Sequence, residues 1–350
     1  MERRKMKKKG FTLVELLVVI AIIAMLLAIL MPALGKVRQL AQRIMCSTNL
    51  AGLGKAMLVY SNDDKYESFP IAGSSGAYWD RGTGGNEGVS TFDWRIPKFT
   101  DTGTPPRATI SSCLYLLVKI ADTTPEQFIC PGSDQKKFDF STYTMLSGTA
   151  YSNLTFTDVW DFGSKDTVNT AQNKSRGKGH NSYSYQLPLP LASGQSGAYP
   201  ITTTTNPARA VMADRNPYWS SPVPPTGSPV PPPYLYNFDE TGNKLRAESI
   251  PNGNSTYHQK DGQNVLYADL HAKFEKSANC GIQQDNIYTY WGIATIAATT
   301  DEKFRQCGKG AVNAATNTTF ENPQTSSNTD PTCRPQNEED NYLVSDVDKG

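Results

Sequence analysis

Hydrophobic and polar positions divide this chain into three stretches of different character. From Phe11 to Met31, 21 residues run almost uninterrupted in apolar side chains, with Glu15 as the single charge. At about 1.5 Å of rise per residue, such a helix crosses a hydrocarbon core of about 30 Å. Beyond Pro32 the apolar positions thin to a helical stripe: Leu34, Val37, Ala41, Ile44, Met45, Thr48, Leu53, Ala56, Met57 and Tyr60 recur at steps of three and four, with Lys36, Arg38, Gln39, Gln42 and Arg43 between them. The pattern predicts one helix, apolar all round in its first half and amphipathic in its second, that ends before Pro70 because the residue preceding a proline leaves the α region. Gly35, Gly52 and Gly54 each weaken it by about 1 kcal/mol, which predicts local bending or melting.

The remainder carries a single further helical candidate, Ser112 to Ile120, and is rich in Gly, Pro, Ser, Thr and Asn. Short strands are expected at Tyr183 to Leu187, Ala210 to Asp214, Val265 to Tyr267 and Ala272 to Glu275, the last two joined by a tight turn at Asp269-Leu270-His271. Ala72 to Gly88 reads as a surface loop, and Pro217 to Tyr234, with eight prolines, as an exposed polyproline-like loop. Residues 308–350 are polar and read as a loosely ordered tail that Cys333 can tether. The expected architecture is α+β: a long N-terminal helix packed on an antiparallel meander with long loops. Its parts are 1–10, 11–31, 32–62, a globular β-rich part at 63–307, and the tail.

Charge changes this picture at one end. Of 34 basic and 33 acidic residues, six basic and one acidic fall within Met1 to Gly10, leaving 28 basic against 32 acidic in the rest. A basic cluster directly before an apolar span places the N-terminus in the cytoplasm and the chain after Pro32 outside. The mildly acidic remainder argues against a nucleic-acid partner. A cleaved secretory signal would have a much shorter apolar region. Glu15 is the anomaly, since a carboxylate within a span costs about 2.5 to 3.5 kcal/mol on insertion scales. Cutting the chain between Gly10 and Phe11 would set a new α-amino group one helical turn from Glu15, and a neighbouring chain's amino group could then offset that cost.

Lys9-Gly10-Phe11-Thr12-Leu13-Val14-Glu15 resembles the signal of type IV prepilins and type II secretion pseudopilins. The resemblance implies a leader of ten residues, cleavage after Gly10 by a prepilin peptidase, methylation of Phe11, and assembly through Glu15 and the helix-kinking Pro32. It implies a single-pass bacterial inner-membrane protein that joins like or related pilin subunits on an inner-membrane assembly platform. Further stretches resemble a pseudopilin-like family with a C-terminal His…Asp-Gly signature: Met45 to Leu50, Phe128 to Pro131, Ser182 to Tyr185, Val211 to Arg215, and His258 followed by Gly262 to Asp269. Here ten residues rather than nine separate His258 from Asp269, and Leu270 stands where that signature has Gly, which puts in question a turn that needs positive φ.

Candidate chemistry is sparse. His258, Asp269, His271 and Asp214 are the conceivable metal ligands, although only three His occur and no paired His or Cys spacing supports them. The resemblance to secretion pseudopilins makes calcium in the C-terminal loop region conceivable, with no fixed Asp spacing to specify it; no other cofactor is expected. Six cysteines, Cys46, Cys113, Cys130, Cys280, Cys307 and Cys333, lie in the part read as external, where disulfides persist, and they allow 15 connectivities, with at least one bridge expected. No nucleophile elbow or phosphate loop is present, and Glu338-Glu339-Asp340 reads as solvated, so an enzyme is not expected. The expected function is a structural subunit of an envelope filament. The alternative is a minor or tip protein that binds carbohydrate or a partner through rings such as Tyr78-Trp79, Trp94, Trp160, Tyr218-Trp219 and Tyr290-Trp291.

Overall fold

The computed structural model describes residues 13–72, 78–79, 107–108, 110–133, 135–138, 156, 162, 180–186, 188, 199–217, 253–288 and 338–344. Helix α1 is continuous over Leu13–Asp63, with Pro32 inside it. Its residues up to Gln42 form one unit and the chain from Arg43 onward forms another. In the first unit the side chains of Leu13 to Met31 are all exposed.

In the second unit α1 buries Cys46, Leu50, Leu53, Gly54, Ala56, Met57 and Ser61; of the expected stripe only Leu53, Ala56 and Met57 are among them, whereas Ile44, Met45 and Thr48 are exposed, so the face that meets the sheet begins at Cys46 instead. The glycines do not melt it. Gly54 lies so close to the sheet that a Cβ there would stand 2.9 Å from Leu266 Cδ1; its missing side chain is what lets helix and sheet approach. Just past the last turn, Asp64 Oδ2 accepts the N–H groups of Tyr66 (2.9 Å) and Ser68 (3.0 Å) and the Ser68 hydroxyl (2.8 Å). These bonds halt the helix. Burial pulls the Asp64 carboxyl upward, but the three bonds outweigh it and hold its pKa below the usual value.

Helix α2, Ile110–Ile120, is almost wholly buried. Strands β1 (Tyr78–Trp79) and β2 (Arg107–Ala108) pair in parallel, so the expected loop of residues 72–88 contains a short strand. The main sheet is antiparallel with strand order β6-β5-β4-β3-β7, formed by Ala272–Glu275, Gln263–Tyr267, Ala210–Asp214, Tyr183–Gln186 and Leu343–Val344. Both faces of its centre are covered. Tyr183, Tyr185, Met212, Leu266 and Val344 pack with α1, α2, Phe128, Phe138 and Phe162. On the other side Ala213, Val265, Tyr267 and Leu343 pack with Ala278, Ile287 and Tyr288. The register shifts between Ala210 and Met212, and this irregularity leaves Val211 and Met212 both in the helix-side core.

Two expectations need correction. Residues 338–344 are not loose tail: Leu343 and Val344 form the strand beside β3, and Asp340 is buried rather than solvated. Three apolar residues, Tyr342, Leu343 and Val344, suffice because the sheet offers an open edge. Leu270 takes φ 69°, so the hairpin turn keeps its left-handed residue without glycine. The strain of about 1 kcal/mol is offset by packing of the Leu270 side chain against the main core. Residues 308–337 and 345–350, the loop after Pro217 and Trp94, Trp160, Tyr218-Trp219 and Tyr290-Trp291 lie outside the described residues.

Candidate functional site

Chemically distinctive side chains converge where α1 meets the sheet. Cys46 faces inward from α1 and is joined by a disulfide to Cys130, with their Cα atoms 5.2 Å apart. Cys130 opens a turn in which Gly132 N–H points at its sulfur (3.3 Å) and the Ser133 hydroxyl and N–H both bond its carbonyl. Asp214, the last residue of β4, lies on the helix-side face opposite Tyr183. Asn264, two residues before Leu266 on β5, shares that face. Asn264 donates to Asp214 Oδ2 through its backbone N (2.7 Å) and its side-chain amide (3.1 Å).

His258 completes the group. Its Nε2 lies 3.3 Å from Asp214 Oδ2, 3.3 Å from Asn264 Nδ2 and 3.5 Å from Cys130 Sγ. It belongs to a run of left-handed non-glycine residues, His258, Gln259 and Lys260, at φ 53°, 61° and 62°. Three successive residues in that region are costly for L-amino acids and persist only where the surroundings impose them. Gly132 helps, because a Cβ there would stand 3.1 Å from the His258 ring. One ligand-type atom each from Cys46, Cys130, Asp214 and His258 lies within 4.8 Å of all the others, and all four residues are buried. Asp214 Oδ1 and Asn264 Oδ1 are buried with no hydrogen-bond partner among the described residues. Arg43, which pairs with Asp261 and lies over the Phe274 ring, is near neighbour to this site in the chain.

Gly262 joins the His258 turn to β5 at φ 153°, where a Cβ would stand 2.2 Å from the Glu275 carbonyl oxygen. Backbone cannot yield as a side-chain tip can. Gly262→Ala is therefore expected to lower the unfolding free energy by about 3 kcal/mol, read as a shift in urea midpoint.

The sequence-level metal candidates thus fall into two pairs. His258 and Asp214 join the buried cluster, whereas His271 and Asp269 bond each other on the exposed hairpin turn, with His271 stacked on Tyr267 at 4.5 Å. Cys113 and Cys280 are not in bridges among the described residues: the Cys113 sulfur accepts Ala72 N–H, and Cys280 contacts the Ala278 carbonyl. Cys307, Cys333, Gly10 and Phe11 lie outside the described residues. In the C-terminal region where calcium was conceivable, Asp285 bonds Asn341 twice, as Asp214 bonds Asn264. The cation facing Asp285, Glu338 and Asp340 is the Arg209 guanidinium, which burial pulls down to about 10 against the opposing effect of those acidic charges.

What the residue pattern did not reveal was the meeting of the two cysteines with His258 and Asp214, and the part of Asn264. Period-two spacing, Asp214 after Met212 and Asn264 before Leu266, was the available signal.

An α+β chain whose apolar N-terminal helix runs on into the core of an antiparallel five-strand sheet is consistent with a pilin-like fold. Residues 5–31 match the prokaryotic N-terminal methylation motif, the prepilin-type signal, which supports a type IV pilin-like or pseudopilin-like protein processed at its N-terminus. That match does not extend to the segment from His258 to Asp269. No curated protein and no solved structure matches the chain.

Proposed function

We propose that this chain is a structural subunit of an envelope filament, a type II secretion pseudopilus or a type IV pilus-like fibre, assembled through α1 after a prepilin peptidase cuts between Gly10 and Phe11. The observation that carries the reading is the prepilin-type signal at residues 5–31, which runs into a helix, Leu13–Asp63, long and apolar enough to cross a membrane. Continuity of that helix from Leu13 to Asp63 supports it too.

In this reading the subunit waits in the bacterial inner membrane with its N-terminus cytoplasmic and its bulk outside. Assembly draws the span from lipid into a bundle of like helices on an inner-membrane platform, where helix packing replaces lipid contacts. Glu15 then meets the methylated α-amino group of a neighbour's Phe11, and the pair sets the axial stagger. No cofactor takes part.

Mass spectrometry of the N-terminal peptide from native envelopes is the direct test: a peptide that begins with methylated Phe11 is expected, and an intact Met1 overturns the reading. Glu15→Ala is expected to insert normally but to lose about 3 kcal/mol at each subunit contact, enough to reduce sheared filaments severely. Wild-type filament yield from that variant would remove the staggering role.

A further inference from the structure

We infer that the reduced chain holds one Zn2+ at Cys46, Cys130, His258 and Asp214, the residues gathered around the Cys46–Cys130 disulfide. This inference is independent of the filament reading. Two thiolates, an imidazole and a carboxylate make a donor set typical of a tetrahedral zinc site. Their ligand atoms already lie within 4.8 Å of one another. A zinc tetrahedron with bonds of about 2.0 to 2.3 Å has edges of about 3.3 to 3.7 Å, so closing the site takes shifts of about 1 Å once the sulfurs are no longer bonded.

Three observations beyond residue type point to a cation. The first is an excess of acceptors. Asp214 Oδ1 is fully buried with no hydrogen-bond partner among the described residues, and Asn264 Oδ1 beside it is in the same condition. Leaving such atoms unsatisfied costs about 1 to 3 kcal/mol each, and more for a charged group. The second is His258 Nε2, which faces both Asp214 Oδ2 and Asn264 Nδ2 at 3.3 Å. As an acceptor from Asn264 it opposes the carboxylate lone pair, and as a donor to Asp214 it opposes the amide hydrogens. A metal ion on a deprotonated Nε2 removes the conflict with the carboxylate.

The third is the outer shell. Gly132 N–H points at Cys130 Sγ (3.3 Å), a contact that favours the thiolate, and Asn264 orients the Asp214 carboxylate with two hydrogen bonds to its Oδ2. The left-handed backbone at His258 is the strain expected of a residue placed for a ligand rather than for packing. Binding at two thiols releases two protons, so affinity falls as pH falls.

The test uses the full chain in detergent, reduced with a phosphine and titrated with Co2+ as a spectroscopic stand-in. One equivalent is expected to give thiolate-to-cobalt charge transfer with tetrahedral d–d bands, displaced by Zn2+ and absent from the Cys46→Ala, Cys130→Ala double variant. Asn264→Ala is expected to weaken binding about 10- to 100-fold, and His258→Ala at least as much. A reduced, folded chain that takes up no cobalt overturns the inference, as does cobalt binding that His258→Ala leaves unchanged. If reduction itself unfolds the chain by near-UV circular dichroism, Zn2+ and not Mg2+ is expected to restore the fold; no recovery with Zn2+ overturns the inference equally.

Discussion

Replacing Cys46 and Cys130 together with alanine is expected to lower the unfolding free energy by about 4 kcal/mol. The bridge links positions 84 residues apart. Closing a loop of that length in the unfolded chain is what the cross-link accomplishes, and the entropy withdrawn from that ensemble grows with the logarithm of loop length. Total stability of a domain is of order 5 to 15 kcal/mol, so about a quarter or more of it rests on one bond. The position sharpens the effect, because Cys46 is where the inward stripe of α1 begins and Cys130 anchors the turn that carries the contact with His258. Urea unfolding of the full chain in detergent, followed by near-UV circular dichroism, reads this as a lower midpoint. A loss below about 1 kcal/mol would show that α1 is held by the core alone.

Gly10→Val is expected to abolish processing altogether. In the proposed reading the peptidase needs the backbone at residue 10 unobstructed, and a β-branched side chain denies it that approach. The variant should accumulate in the membrane with its basic leader attached, carry no methylated Phe11 and yield no filaments. Immunoblotting for the heavier precursor, with mass spectrometry of its N-terminus, checks each part. An uncut variant that still assembled would separate filament formation from cleavage and sink the mechanism.

Much of the fold was legible because its strongest signals are local. An apolar run long enough to span lipid needs no partner to be recognised, whereas the inward stripe of α1 was legible only at Leu53, Ala56 and Met57, because the apolar Ile44 and Met45 stay exposed and the small Cys46 and Gly54 turn inward. The β5–β6 hairpin was readable for the same reason, since its strands are neighbours in the chain. Strand alternation was weak because β3, β4 and β5 are buried on both faces, which erases the polar half of the period. The edge strand Leu343–Val344 was hidden by its length: two residues carry no period, and only the open edge of β3 gives them a role.

By itself, then, the amino-acid order determined the signal at residues 5–31, the existence of the long helix, and the four strands Tyr183–Gln186, Ala210–Asp214, Gln263–Tyr267 and Ala272–Glu275 to within two residues, because each depends on contacts or spacings within one short segment. Only the tertiary structure decided that Cys46 meets Cys130, that His258 and Asp214 close on that pair while His271 and Asp269 remain on the exposed turn, and that Leu270 carries a left-handed backbone. Those outcomes depend on segments up to 212 residues apart being pressed together by the burial of a shared core, and no local pattern encodes which distant side chains will meet there.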